Sequence, residues 1–234
     1  MNWERLDTYA HLSDRAASIL LDAIRTAPHA VLGLPTGRTP VGMYDCVVTE
    51  YTHNYHCFRD VRTFNLDEYV GIPHDHPGSY AAYMEQHLFE FIDINPANAH
   101  IPDGAARDPR AECVRYEAAI RDAGGLGLTF LGLGRNGHIG FNEPDTPFTS
   151  QTRVVELSES TRIANEDLFA DHKVPTRAIT MGIGTILESR RIVLLASGAN
   201  KREAVERLRS GIVDESFPAS ALWGHPDVTV LVSD

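Results

Sequence analysis

Cysteine is scarce in this sequence of 234 residues: only Cys46, Cys57 and Cys113 occur, with no C-x-x-C spacing. An odd, unpatterned set excludes a disulfide framework and points to reduced thiols and a cytoplasmic location. Basic charge is also short. Lys and Arg number 21 against 32 Asp and Glu, for a net charge of −11. That balance excludes non-specific nucleic-acid binding and attraction to anionic membranes. No apolar run approaches the length of a membrane span. The opening residues, MNWERLDTYAHLSDRAASILL, lack the basic segment and cleavage site of a secretory leader and read as an amphipathic helix. Repeats, low-complexity tracts and linkers are missing too, so the chain reads as one domain over residues 1–234.

What is present is ordinary for a globular protein: 43% hydrophobic and 23% charged residues. Apolar β-rich runs fall at residues 30–34, 61–66, 126–133, 178–183, 191–197 and 228–232. Helical patterns lie between them, at 13–26, 40–51, 79–91, 109–123 and 200–210. Near-continuous apolar strands alternating with helices predict an α/β fold, a mostly parallel sheet with helices on both faces. Residues 144–174 are polar and weakly patterned, which marks a lid beside a site.

The richest stretch is LGLGRNGHIGFNEP, residues 131–144. A buried strand empties into a glycine-rich turn carrying His138 and then Glu143. Strand ends of this kind hold ligands at the carboxyl edge of open α/β sheets. A histidine and a glutamate in one turn suggest an imidazole oriented by a carboxylate. Gly132, Gly134 and Gly137 also spell G-x-G-x-x-G, the dinucleotide fingerprint. That motif needs a helix opening at its third glycine, and Phe141-Asn142-Glu143-Pro144 follows instead. A nicotinamide cofactor is therefore not expected.

Three other strand ends carry polar groups. The turn Thr36-Gly37-Arg38-Thr39 leads into a helix, with Thr39 as its cap and Pro40 as its first residue. Two threonines and an arginine at a helix N-terminus read as an anion site. Asp67 and Glu68 are adjacent at a strand end and should face opposite ways; taken alone, the pair reads as a solvated loop. Lys201 opens a helix against its dipole, unfavourably unless an anion sits there; in isolation it reads as a surface lysine. His53, His56 and Cys57 have no fourth ligand at a recognisable spacing, so no metal is expected.

Together these turns resemble the glucosamine-6-phosphate deaminase family. The matching segments run in family order: LGLPTGRTP (32–40), TFNLDEYVGIPHDHPGSY (63–80), LGLGRNGHIGFNEP (131–144), ITMGIGTIL (179–187) and GANK (198–201). FNLDEYVG and GHIGFNEP are the most specific. The resemblance implies a modified Rossmann-like fold and conversion of glucosamine 6-phosphate to fructose 6-phosphate and ammonia, without metal or organic cofactor. It implies Asp67 as the base that moves a proton from C2 to C1 through an enolamine. His138 would open the sugar ring, with Glu143 orienting it. Thr36, Gly37, Arg38, Thr39 and Lys201 would hold the phosphate. The partner is thus a phosphorylated amino sugar, not nucleic acid or membrane, and the chain a monomer or small homo-oligomer.

Three departures stand out. Asn136 occupies a position where many members have aspartate. Asp167 stands where the family often has a phosphate-clamping arginine, and an acid beside a phosphate dianion is repulsive. Pro147 and Val155 sit where the regulated members' effector site expects polar or basic residues. The alternatives are a galactosamine-6-phosphate deaminase, a lactonase-like hydrolase and a non-catalytic sugar-phosphate-binding domain.

Overall fold

A computed structural model describes residues 1–54, 56–166, 169 and 173–233. Its spine is a seven-stranded, all-parallel sheet. The strands are β1 (Asn2–Leu6), β2 (Val31–Leu34), β3 (Arg62–Asn65), β5 (Ala99–His100), β6 (Leu128–Gly132), β9 (Arg191–Ser197) and β10 (Val228–Ser233). They lie in the order β1-β10-β9-β6-β2-β3-β5. A second, three-stranded antiparallel sheet joins β4 (Asp67–Tyr69), β8 (Arg177–Thr180) and β7 (Arg153–Glu156).

The helices are α1 (Tyr9–Thr26), α2 (Val41–Asn54), α3 (Tyr80–His87), α4 (Pro109–Asp122), α5 (Glu159–Ala164), α6 (Ile183–Leu187) and α7 (Arg202–Arg209). The strands show why both faces of the main sheet are covered. Along β9, Val193 and Leu195 pack with Leu12, Leu20 and Tyr44 of α1 and α2. Ile192, Leu194 and Ala196 point the other way, toward Tyr116 of α4, Ile186 of α6 and Val205 of α7. Alternate side chains of one strand thus feed two cores, which is why the strand reads as continuously apolar.

The N-terminus corrects the sequence reading. Residues 2–6 form an edge strand beside β10, not the start of a helix. Thr8 then caps α1, its side chain accepting from the His11 amide. Strand pairing along the exposed edge of β10 overrides the weak local helical pattern. The strand expected at 178–183 stops at Thr180, and after Gly182 the chain becomes α6. The weakly patterned stretch 144–174 holds β7 and α5. Among the described residues, no helix is long and apolar enough to cross a membrane. Nor does any group of three or more His, Cys, Asp or Glu there form a metal cluster.

Candidate active site

Four turns converge because β9, β6, β2 and β3 are neighbours in the sheet. The chain runs outward from β2 to β3 and returns on the other side at β6. The crevice between β2 and β6 is therefore the switch point at which open parallel sheets bind ligands.

The turn after β2 is held by tyrosines. Tyr44 donates to Pro35 O at 2.6 Å, Tyr83 to Gly37 O at 2.7 Å, and Tyr9 to Thr39 O at 3.0 Å. Tyr9 also accepts from Gly42 N at 2.8 Å. These bonds engage carbonyls that would otherwise repel an anion. The first helical residue is Val41; Pro40 precedes the helix, and its carbonyl accepts from Tyr44 N. Pro40 thus sits one place earlier than the sequence reading put it, and Thr39 is not the cap. Arg38 is exposed on this turn.

Beyond β3 the chain turns at Leu66 and enters the second sheet. Asp67 and Glu68 are 5% and 1% exposed, so the solvated-loop reading fails for both. Glu68 is used by the fold: it accepts from the amides of Tyr69, Tyr80 and Ala81 at 2.8, 3.0 and 2.9 Å, capping α3. Asp67 faces the other way. Burial, and then the neighbouring charge of Glu68, push its carboxyl up to about 8. Its Oδ2 lies beside the His138 turn, 3.4 Å from where a Cβ on Gly140 would be.

That turn is built without a helix. Gly137 adopts φ 85°, and a Cβ there would lie 2.2 Å from the Phe217 ring, so glycine is required for both reasons. Asn142, fully buried, donates to Ile139 O and Met181 O at 2.8 and 2.9 Å and accepts from Arg153 Nη1 at 2.7 Å. Phe141 N donates to Thr180 Oγ1 at 3.1 Å. Asn142, Arg153 and Thr180 therefore fix the loop's shape. Sequence reasoning gave none of them a role, since their partners are distant in the chain.

The imidazole is part of a chain of polar contacts. His138 Nδ1 lies 2.7 Å from Asn136 Oδ1, and Asn136 Nδ2 donates to Glu143 Oε2 at 2.7 Å. Glu143 Oε2 is 4.0 Å from His138 Nδ1, so its charge acts on the ring across that gap, while its hydrogen bond goes to Asn136. Because the amide group donates to the carboxylate, the amide oxygen faces the ring. An oxygen without a proton can only accept, so Nδ1 carries the hydrogen and Nε2 keeps its lone pair. Burial lowers the His138 pKa; Glu143 opposes that, while Lys201 and Arg135 add to it.

Lys201 closes the short 3-10 turn (Ala199–Lys201) after β9 and is half-buried, not a plain surface lysine. Burial, and then the like charge of Arg135, depress its pKa. Two cations set this way favour an anion beside them. The sequence reading gave Arg135 no role, since its proximity to Lys201 is a tertiary one. Asp167 lies outside the described residues.

Asn136→Asp is expected to raise the His138 pKa, because a carboxylate at that position favours the imidazolium. A ¹⁵N–¹H NMR titration of the ring checks it, and an unchanged or lowered value would contradict the contact chain.

Residues 4–231 match the family model for glucosamine-6-phosphate isomerases and 6-phosphogluconolactonases. The chain belongs to this family. It is 50% identical over 232 residues to a glucosamine-6-phosphate deaminase of Lysinibacillus sphaericus (strain C3-41), covering 99% of this chain and 98% of that one. It is 50% identical over 226 residues to glucosamine-6-phosphate deaminase 1 of Bacillus subtilis (strain 168), covering 96% and 93%. A solved monomeric glucosamine-6-phosphate deaminase superposes with a TM-score of 0.98 at 49% identity, over 100% of this chain and 97% of that one. The 6-phosphogluconolactonase of Trypanosoma cruzi, with a TM-score of 0.80 and 20% identity over 99% of this chain and 94% of that one, shares the fold alone. Both curated relatives at 50% identity are deaminases, while the lactonase likeness stands at 20%.

Proposed function

We infer that the protein converts glucosamine 6-phosphate and water to fructose 6-phosphate and ammonia. The observation that carries the reading is Asp67: a buried carboxyl raised to about 8, beside a histidine turn, in a chain half identical to deaminases. A carboxylate raised by burial is a stronger base, as abstraction of a carbon-bound proton requires.

In this reading His138 Nε2 takes the proton of the anomeric hydroxyl and returns it to the ring oxygen, opening the sugar. Asp67 then removes the proton at C2, giving an enolamine, and delivers it to C1. The imine left at C2 adds water and expels ammonia. Proton transfers account for every step the side chains perform. The anion end of the substrate lies between the turn after β2 and Lys201. Residues 144–174, which carry α5, act as the lid. A monomer is the favoured state, as in the structural relative, and the unpaired cysteines fit a cytoplasmic location.

The deciding assay couples release of ammonia and fructose 6-phosphate on glucosamine 6-phosphate, galactosamine 6-phosphate and 6-phosphogluconolactone. Turnover of the first alone is expected. Preference for the second would move the assignment to the other epimer, and turnover of the lactone alone would overturn it.

Arg38 is our choice for the cation that replaces the missing clamp, since a guanidinium at a helix N-terminus can pair with phosphate oxygens. Arg38→Ala is expected to raise KM roughly 10- to 100-fold, the loss of one charge-assisted contact, with partial recovery in Arg38→Lys. An unchanged KM in Arg38→Ala together with a raised one in Arg135→Ala would transfer the role to Arg135, the cation that acts on Lys201.

A further inference from the structure

One contact ties the active-site turn to a different part of the chain. Thr161 lies on α5, in the segment that follows β7, and is 9% exposed. Ser158 caps this helix: its oxygen accepts from Thr161 N at 3.2 Å, and its hydroxyl donates to Thr161 Oγ1 at 2.9 Å. The Thr161 hydroxyl proton is then directed to Glu143 Oε1, at 2.7 Å. Glu143 consequently has both oxygens engaged, one by Thr161 and one by Asn136.

We propose that Thr161 is a positioning residue: by holding one oxygen of Glu143, it keeps the carboxylate turned toward the Asn136 amide and away from His138, and so preserves the basic Nε2 of the ring. The proposal deepens the reading of His138 as the ring-opening group and rests on it.

Its physical content is a choice between two arrangements of Glu143. With Thr161 bonded, the carboxylate stays 4.0 Å from Nδ1, and the neutral amide of Asn136 takes the ring's hydrogen. Without that bond, rotation about the terminal torsion of Glu143 costs little, since torsions at a carboxylate are broad. A full charge can then approach Nδ1 and favour the imidazolium. A protonated ring has no lone pair to receive the sugar's proton. The other charges facing His138 are Arg135 from its own turn and Lys201 from the turn after β9, and both oppose protonation. Asp67 approaches the same turn from β4. None of these is bonded to Thr161, so among the charges around the ring the variant frees Glu143 alone; the other bond it removes is that from the Ser158 hydroxyl.

The test compares Thr161→Val, which keeps shape and removes the hydroxyl, with Thr161→Ser, which restores it. The ring of His138 is followed by ¹⁵N–¹H NMR, its signals assigned by their loss in His138→Gln. In Thr161→Val the His138 titration is expected to move up by about half a pH unit or more. On the acidic limb of the pH profile kcat is expected to fall at least ~3-fold, the full effect of a half-unit shift, while above pH 8 kcat and KM change less than ~2-fold, as for weakened acid–base action. Thr161→Ser should restore both. A merely structural Thr161 would lower kcat by a factor independent of pH and leave the titration in place, which overturns the proposal. So would a serine variant no better than valine. Should Thr161→Val fail to fold, Thr161→Ala takes its place with the same readouts. If His138→Gln turns over like wild type, the underlying assignment of His138 fails; a dead His138→Gln with an unmoved Thr161→Val titration removes only the role of Thr161.

Discussion

Exchanging Asp67 for asparagine is expected to lower kcat at least ~10²-fold, the low end for losing a general base, with KM little changed. Asparagine is nearly isosteric and cannot accept the C2 proton. Any loss of turnover is then chemical and not a matter of binding. The same substitution is expected to stabilise the fold. Burial, with Glu68, raises the Asp67 carboxyl from the ordinary 3.8 to about 8 in the folded chain. Between those values the folded state holds a proton that the unfolded state has released. Stability from this group therefore falls as pH rises from about 4 to about 8. The asparagine variant escapes that loss, so its Tm advantage over wild type should grow between pH 5 and pH 8. Intact deaminase turnover in a folded Asp67→Asn protein would falsify the assignment. A Tm difference that does not vary with pH would place Asp67 in a wetter setting than its 5% exposure indicates.

Gly134→Ala is expected to cost about 10²-fold in kcat, the scale of a catalytic group displaced by about 1 Å. The reason is a close approach. A Cβ on Gly134 would stand 2.3 Å from His138 Nδ1 and 2.4 Å from its Cγ and Cε1. The ring must then tilt away and give up the 2.7 Å contact with Asn136. The His138 ring is partly exposed, at 37% for its side chain, so it has room to move and the fold should survive. Steady-state kinetics with a melting curve on the same sample separate the two effects. A variant that melts like wild type and turns over normally would show that the imidazole position does not limit the reaction.

The glycine run illustrates how far the sequence could be read. G-x-G-x-x-G at residues 132–137 matched a dinucleotide motif by letter. The prolines and asparagine after it excluded the helix that the motif needs, and the structure has only the Ile139–Asn142 bridge there. Strand ends were legible for the same reason: apolar runs are local, and β2, β3, β6, β9 and β10 all lie within the runs read from composition or overlap them closely. The short antiparallel sheet of β4, β8 and β7 was not foreseen, because its pairing joins residues 67–69 with 178–180 and local pattern cannot supply such partners.

The sequence by itself determined the fold class, the family and the set of polar residues at the four strand ends, since each of these depends on local periodicity or on short motifs. Which of two adjacent carboxylates faces the crevice was decided only by tertiary structure. The alternation of a strand sends one side chain to each face, but only the packing of α3 makes Glu68 its cap and leaves Asp67 to the crevice. The same holds for the histidine. His138 and Glu143 are close in the chain, yet Asn136 stands between them and Thr161 reaches them from α5. Contacts of that kind depend on where elements dock, and burial at the docked position, not residue type, sets how readily each group gives up its proton.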